Sequence, residues 1–183
     1  MSFRGGGSDP YGDDGYSDFA LIPRYLKIHG IVMALAFAVM MPLGALIIRG
    51  LKVQGSIWIH AIWQLISWAL MIVGLAYGVR VGRTLHMIGH NAHTVLGIIV
   101  VVLMFFQPFI GLAHHFRFRK NGSRSFVHIW YGRVLILLGI INGGLGLQLA
   151  ANSTGGTIAY GVVGGIFGVL IIVLAITRER KKI

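Results

Sequence analysis

Five long apolar runs constrain the fold of this chain more than any other feature of its sequence. They lie at about residues 28–48, 57–79, 90–113, 127–149 and 158–177. Each run is long enough to cross the roughly 30 Å hydrocarbon core of a bilayer as a helix that rises about 1.5 Å per residue. Lipid cannot satisfy an open sheet edge, and the runs lack the alternation of barrel strands. They therefore predict an all-α integral membrane protein with a bundle of five transmembrane helices.

Composition supports this fold class and limits the number of domains. Hydrophobic residues make up 56% of the 183 residues and charged residues only 11%, and soluble domains are usually about 25% charged. Five spans use most of the chain, so a single transmembrane domain is predicted at residues 24–178. Residues 1–23, rich in glycine and aspartate, are predicted to be a disordered tail, and residues 179–183 a short basic tail.

The formal net charge of +11 is explained by the loops of a membrane protein. With the spans alternating in direction, ten basic residues fall on one side: Arg49, Lys52, Arg117, Arg119, Lys120, Arg124, Arg178, Arg180, Lys181 and Lys182. Five fall on the other side: Arg4, Arg24, Lys27, Arg80 and Arg83. The positive-inside rule therefore predicts a cytoplasmic C-terminus and an extracytoplasmic N-terminus, with membrane lipid and no nucleic acid as partner.

Four of the eight histidines recur near the starts of four successive runs: His29, His60, His93 and His128. Because neighbouring spans run in opposite directions, His29 and His93 lie at one depth on the outer side. His60 and His128 lie at a second depth on the cytoplasmic side, roughly 20 Å away along the helices. Two pairs at two depths suit two six-coordinate haems b in a four-helix core, with the C-terminal helix beside it. The pattern predicts a transmembrane electron carrier.

Other polar residues leave alternatives open. Arg133 lies five residues inside the fourth helix from His128, where a buried arginine needs a haem propionate, an anionic substrate or backbone carbonyls around it. If the third helix begins early, His86, His90 and His93 would share one of its faces and would form an alternative zinc site. The role of His93 as a haem ligand is preferred, with His86 and His90 at the membrane interface.

Characteristic stretches surround the four histidines. They are His29-Gly30 and Met41–Ala45 in the first run, Trp58–Ala61 in the second, His93–Gly97 in the third, and Val127–Arg133 and Gly139–Leu147 in the fourth. Over residues 25–177 the pattern resembles the cytochrome b561 family, in particular the membrane half of fungal proteins that carry an additional extracellular haem- or sugar-binding domain. The resemblance implies a bis-haem transmembrane oxidoreductase, of the ascorbate- or ferric-reductase type, with iron ligands paired His29/His93 and His60/His128.

The resemblance also implies partners. Electrons would come from a cytoplasmic reductant such as ascorbate and reach monodehydroascorbate, a ferric chelate, or a secreted or attached redox domain outside. Lysines usually precede the second-helix histidine in members that use ascorbate, whereas Val53 and Ile57 occupy the nearest places here. The short N-terminal segment implies either a separate acceptor protein or a longer parent chain. Glycines such as Gly161 and Gly165 allow helix packing, room for porphyrin or contact between two copies as a homodimer.

Two functions without haem also fit the apolar runs. A metal or proton transporter would use the same histidines as relays, and a structural membrane subunit would use none of them. A transporter is expected to carry acidic partners in its spans. The five apolar runs contain no aspartate or glutamate, which favours the electron carrier.

Overall fold

The computed structural model describes residues 12–50, 53–113, 115–116 and 126–179, which form helices joined by turns. In chain order the elements are α1 (Gly12–Ala34), a π-helical segment (Leu35–Met40), α2 (Met41–Gly50), α3 (Ser56–Thr84), α4 (Ala92–Phe105), α5 (Gln107–Ala113), α6 (Phe126–Leu149) and α7 (Thr154–Glu179). The described part of the chain contains no β-strand.

These elements make five spans that are long and apolar enough to cross a membrane: Phe19–Gly50, Ser56–Thr84, Ala92–Ala113, Val127–Leu149 and Thr154–Thr177. The predicted fold class, a five-helix transmembrane bundle, is confirmed. Helix α1 begins at Gly12, so residues 12–23, which were assigned to the tail, are helical. Residues 1–11 and 180–183, which hold the rest of the two predicted tails, lie outside the described residues.

The first and third spans are each interrupted beside a proline. In the first span, the π-helical segment ends at Met40, two residues before Pro42. In the third, α4 ends at Phe105 and α5 begins at Gln107, directly before Pro108. Proline cannot donate to the helical hydrogen-bond ladder, and membrane helices accommodate such breaks by local π or 3₁₀ adjustments.

The first four spans surround a common interior. The first span packs along the second, and the third along the fourth, which gives two antiparallel hairpins. Helix α1 also contacts α6, and α3 contacts α4, so the first and third spans occupy opposite corners of the bundle. Helix α7 packs against α6 and the π-helical segment, outside this four-helix core.

The interior at mid-depth is mostly apolar. Its largest fully buried side chains include Met71 and Leu135, and the ring of Phe37 lies directly against Gly139 of α6, where no side chain intervenes. Among the described residues, only three polar or charged side chains are buried: Ser67, Arg133 and Asn142. Burying such groups is costly in a membrane protein, so each of the three needs a physical reason.

Candidate functional site

The structure brings His29 of α1 and His93 of α4 together near one end of the bundle. Their ring centroids are 6.0 Å apart, and the ring planes are nearly perpendicular at 82°. His93 lies in the first turn of α4 because Asn91 caps that helix, accepting a 2.9 Å hydrogen bond from the amide of Thr94. The pair joins the first and third spans across the interior.

His60 of α3 and His128 of α6 form a second pair near the other end. Their ring centroids are 6.4 Å apart, with an interplanar angle of 89°. This pair joins the second and fourth spans, so the two pairs lie on the two diagonals of the four-helix core. After the orientation predicted from the basic residues, we call the His29/His93 pair the outer pair and the His60/His128 pair the inner pair.

The spacing of both pairs fits a haem iron between the rings. A metal–imidazole bond of about 2 Å and a ring radius of about 1 Å on each side place the two centroids about 6 Å apart. The observed 6.0 Å and 6.4 Å match that separation. Because haem iron with two imidazole ligands uses one nitrogen from each side of the macrocycle, facing rings on opposite helices are the required arrangement.

Main-chain carbonyls hold three of these rings in the orientation that iron binding needs. The Nδ1 atoms lie 2.8 Å from the carbonyl oxygen of Gly74 for His29, 2.7 Å from that of Gly44 for His60, and 3.0 Å from that of Asn142 for His93. A carbonyl can only accept, so Nδ1 donates and Nε2 keeps the lone pair. Metal-ligating histidines commonly use their second nitrogen in this way, which fixes both tautomer and ring orientation.

Glycines of neighbouring helices make room for three of the rings. A Cβ atom at the glycine would lie under 3.0 Å from the Cε1 atom of the ring: 2.6 Å for Gly78 against His29, 2.7 Å for Gly146 against His93, and 2.9 Å for Gly111 against His128. Two of these glycines follow the carbonyl that binds the same ring by four residues, one helical turn. Helices α3 and α6 therefore each present the same two-part cradle to the outer pair, which consists of a main-chain carbonyl and a glycine one turn later.

Side chains of neighbouring helices hydrogen-bond to the broken parts of the first and third spans. Trp63 Nε1 donates to the carbonyl of Met40 at 2.7 Å, and Gln64 Nε2 donates to that of Met41 at 3.0 Å. These donors lie on α3, within one turn of His60. They stabilise the segment that contains Gly44, whose carbonyl accepts the hydrogen bond from His60.

A similar arrangement surrounds the second break. Tyr131 donates its hydroxyl to the carbonyl of Leu103 at 2.7 Å, and Gln107 Nε2 donates to the carbonyl of His128 at 3.0 Å. Pairing of irregular backbone with neighbouring side chains is what a membrane interior requires. The two interrupted spans, the first and the third, are thus hydrogen-bonded to the helices that carry the inner pair.

The other predicted residues lie elsewhere. Arg133 is buried, with 7% of its surface exposed, and its guanidinium stacks 4.8 Å above the ring of Trp130. His86 and His90 are exposed in the turn before α4, whereas the ring of His93 faces His29. No group of three potential metal ligands occurs among the described residues, so the alternative zinc site does not form there.

Sequence reasoning missed the groups that support the histidines. The carbonyls of Gly74, Gly44 and Asn142 are invisible in a sequence because every residue has one. The available signal was the spacing Gly74-xxx-Gly78, but small residues four apart occur in most packed membrane helices.

Comparison with known proteins agrees with this geometry. The family description "Eukaryotic cytochrome b561" matches residues 28–153. A cytochrome b561 and DOMON domain-containing protein of Arabidopsis thaliana is 27% identical over 162 residues, which is 85% of this chain and 40% of that protein. A second such Arabidopsis protein is 30% identical over 131 residues, 65% of this chain and 31% of the relative.

A third relative, a cytochrome b561 domain-containing protein of Arabidopsis thaliana, is 28% identical over 70% of this chain and 52% of its own length. The chain thus spans about half the length or less of these relatives. No solved structure matches it. The family match includes all four paired histidines and most of the four-helix core, and it supports a haem-based electron carrier in a membrane. This chain is therefore a member of the cytochrome b561 family.

Proposed function

We propose that the chain carries electrons across a membrane by means of two haems b, one held by His29 and His93 and the other by His60 and His128. The observation that carries the proposal is the 6.0 Å and 6.4 Å separation of the ring centroids. Two imidazoles leave haem iron without an open coordination position, which favours electron transfer over oxygen binding. Bound at these places, the haems would supply one-electron carriers at two depths.

The protein's contribution is to hold the histidine side chains in fixed orientations before haem binds. The carbonyls of Gly74, Gly44 and Asn142 leave the Nε2 atoms of three of the four histidines free to bind iron. Glycines on neighbouring helices leave space for the rings. Ligands held by packing and hydrogen bonds need little rearrangement when the charge at iron changes. This rigidity is what an electron carrier needs.

We infer that net flow runs from a cytoplasmic donor at the inner pair to an extracytoplasmic acceptor at the outer pair. The basic residues concentrated on the predicted cytoplasmic side suit an anionic reductant such as ascorbate. Acceptors of fitting chemistry are monodehydroascorbate, a ferric chelate or a redox domain. The last is suggested by the relatives whose names include a DOMON domain beside the cytochrome b561 domain.

Arg133 is assigned to bind an anionic group, a haem propionate or an anionic substrate. Its guanidinium is buried and stacked on Trp130, which places a positive charge in the interior of the bundle. An arginine inside a membrane protein normally faces the interior and an anion.

The experiment that tests the function is a reduced-minus-oxidised spectrum and a pyridine haemochrome assay on detergent-purified protein, with haem counted per polypeptide. Two low-spin haems b per chain are expected. Because the ring planes lie at 82° and 89°, the two iron π-type d orbitals should be close in energy. Both ferric haems should then give strongly anisotropic low-spin EPR signals. Absence of haem from protein made with ample haem supply would favour the transporter instead.

The proposed orientation predicts the accessibility of two turns. The natural chain has no cysteine, so single cysteines at Gln54 and Ser153, both exposed, report on opposite sides. In sealed right-side-out vesicles, a membrane-impermeant maleimide should label Ser153→Cys directly and Gln54→Cys only after detergent is added. The reverse pattern would invert the orientation, and equal labelling of both would contradict a single fixed topology.

A further inference from the structure

The side chain of Asn142 is a buried polar group beside the outer pair that the proposed haem ligation does not use. Only 7% of its surface is exposed. Its Nδ2 lies against α4, where a Cβ at Gly97 would be 2.9 Å from it. Its Oδ1 is fully buried and accepts no hydrogen bond from the described residues. A buried carbonyl oxygen without a hydrogen bond destabilises the fold, so its presence calls for an explanation.

The position of Asn142 places this amide beside the outer pair. Its main-chain carbonyl accepts the hydrogen bond from His93 Nδ1, and Gly97 lies one turn after His93 on the same face of α4. The outer pair joins the first and third spans across the core, so a macrocycle held between the two rings would have the second and fourth spans beside it. Asn142 is on α6, the fourth span.

The matching place on the second span has no side chain. There Gly74 of α3 supplies the carbonyl for His29, as Asn142 does for His93. The two hairpins thus each offer a main-chain carbonyl to the outer pair, but only the second hairpin adds the dipole of a side-chain amide. Ligation needs the carbonyl alone, so the retained amide calls for a separate explanation.

We propose that the Asn142 side-chain amide tunes the redox potential of the haem held at the outer pair. It acts through its dipole and does not ligate the iron. The inference rests on the proposed function. In the poorly polarisable interior, the partial negative charge of Oδ1 acts over short distances with little screening. It favours the ferric state, which carries one more positive charge, and so lowers the midpoint potential. The outer carrier then passes its electron to an acceptor more readily.

Replacement of the side chain separates this role from ligation, because any residue at 142 keeps the carbonyl that binds His93. Asn142→Leu has a similar size and no dipole. To isolate the outer haem, we would measure the variant in a His60→Leu background by spectroelectrochemical titration and EPR. We expect the ferric-to-ferrous ratio at a fixed potential to fall at least about threefold, a shift of about 30 mV to more positive potential for a one-electron couple, with haem content and low-spin EPR signal retained.

Ser67→Ala in the same background is the matched control. Ser67 is also buried, but its hydroxyl donates to the carbonyl of Trp63 at 2.8 Å within its own helix, so no shift is expected. Asn142→Ala is measured in parallel in case leucine packs poorly. An unchanged potential in both Asn142 variants would overturn the inference, and so would loss of the outer haem from both, which would make the amide a requirement for binding. Failure of the function itself would appear earlier, as absence of haem from the unaltered protein.

Discussion

Replacing His29 by leucine is expected to lower the haem content of the purified protein from two per polypeptide to one. The His93→Leu variant should give the same result with the same remaining spectrum, because the two rings face each other at 6.0 Å and would hold one iron between them. His60→Leu and His128→Leu should remove the other haem. Leucine fills a similar volume in an apolar interior, so the packing of the helices should survive. Haemochrome assay and redox titration measure the outcome.

The exposed turn before α4 offers a control for these substitutions. His90 is exposed and belongs to neither ring pair, so His90→Leu should retain both haems. A pair is defined by two variants that lose the same spectral component. Loss of both haems from one substitution, or of different components from His29→Leu and His93→Leu, would contradict the pairing.

Introduction of a single methyl group at Gly146 is expected to remove the outer haem although both its histidines remain. A Cβ there would lie 2.7 Å from Cε1 and 3.0 Å from Nδ1 of His93, closer than packed atoms approach. Either the ring turns away and loses its bond to Asn142, or α6 moves away from α4. The first costs a hydrogen bond of about 1 kcal/mol and the ring orientation. Gly146→Ala should therefore purify with one haem, measured as above.

The same helix supplies a control two residues away. A Cβ at Gly144 would meet no atom within 4 Å, so Gly144→Ala changes helix propensity equally without touching a histidine. It should keep both haems. If both alanine variants keep both haems, the cradle around His93 is more adaptable than its geometry indicates. If both lose the outer haem, the effect comes from the helix backbone and not from the contact.

Much of the fold follows from sequence because a bilayer allows few solutions. Apolar length alone predicts the five spans, and the fourth, Val127–Leu149, agrees with the predicted run at both ends. The pairing of the histidines follows from the alternating direction of the spans. Spans one and three run in the same direction, as do spans two and four, so histidines near their starts lie at the same depth. The structure places His29 with His93 and His60 with His128 as that reasoning predicts, while their ligation of haem stays a proposal.

The features that sequence reasoning did not find depend on three-dimensional contacts. Residues 12–23 are polar enough to resemble a tail, yet the helix starts at Gly12. The carbonyls that orient the rings are main-chain groups, so no residue type marks them. Asn142 was noted only as part of a glycine-rich stretch, because its burial depends on the approach of Gly97 on another helix.

The two antiparallel hairpins have a consequence for assembly of the protein. Contacts are extensive inside each hairpin and sparser between them, yet both histidine pairs take one ring from each hairpin. Each bound iron would then act as a cross-link between the halves, and ligand binding to the native state adds to stability. Haem binding would therefore join the two hairpins at both ends of the bundle and raise the free energy of unfolding of the whole four-helix core.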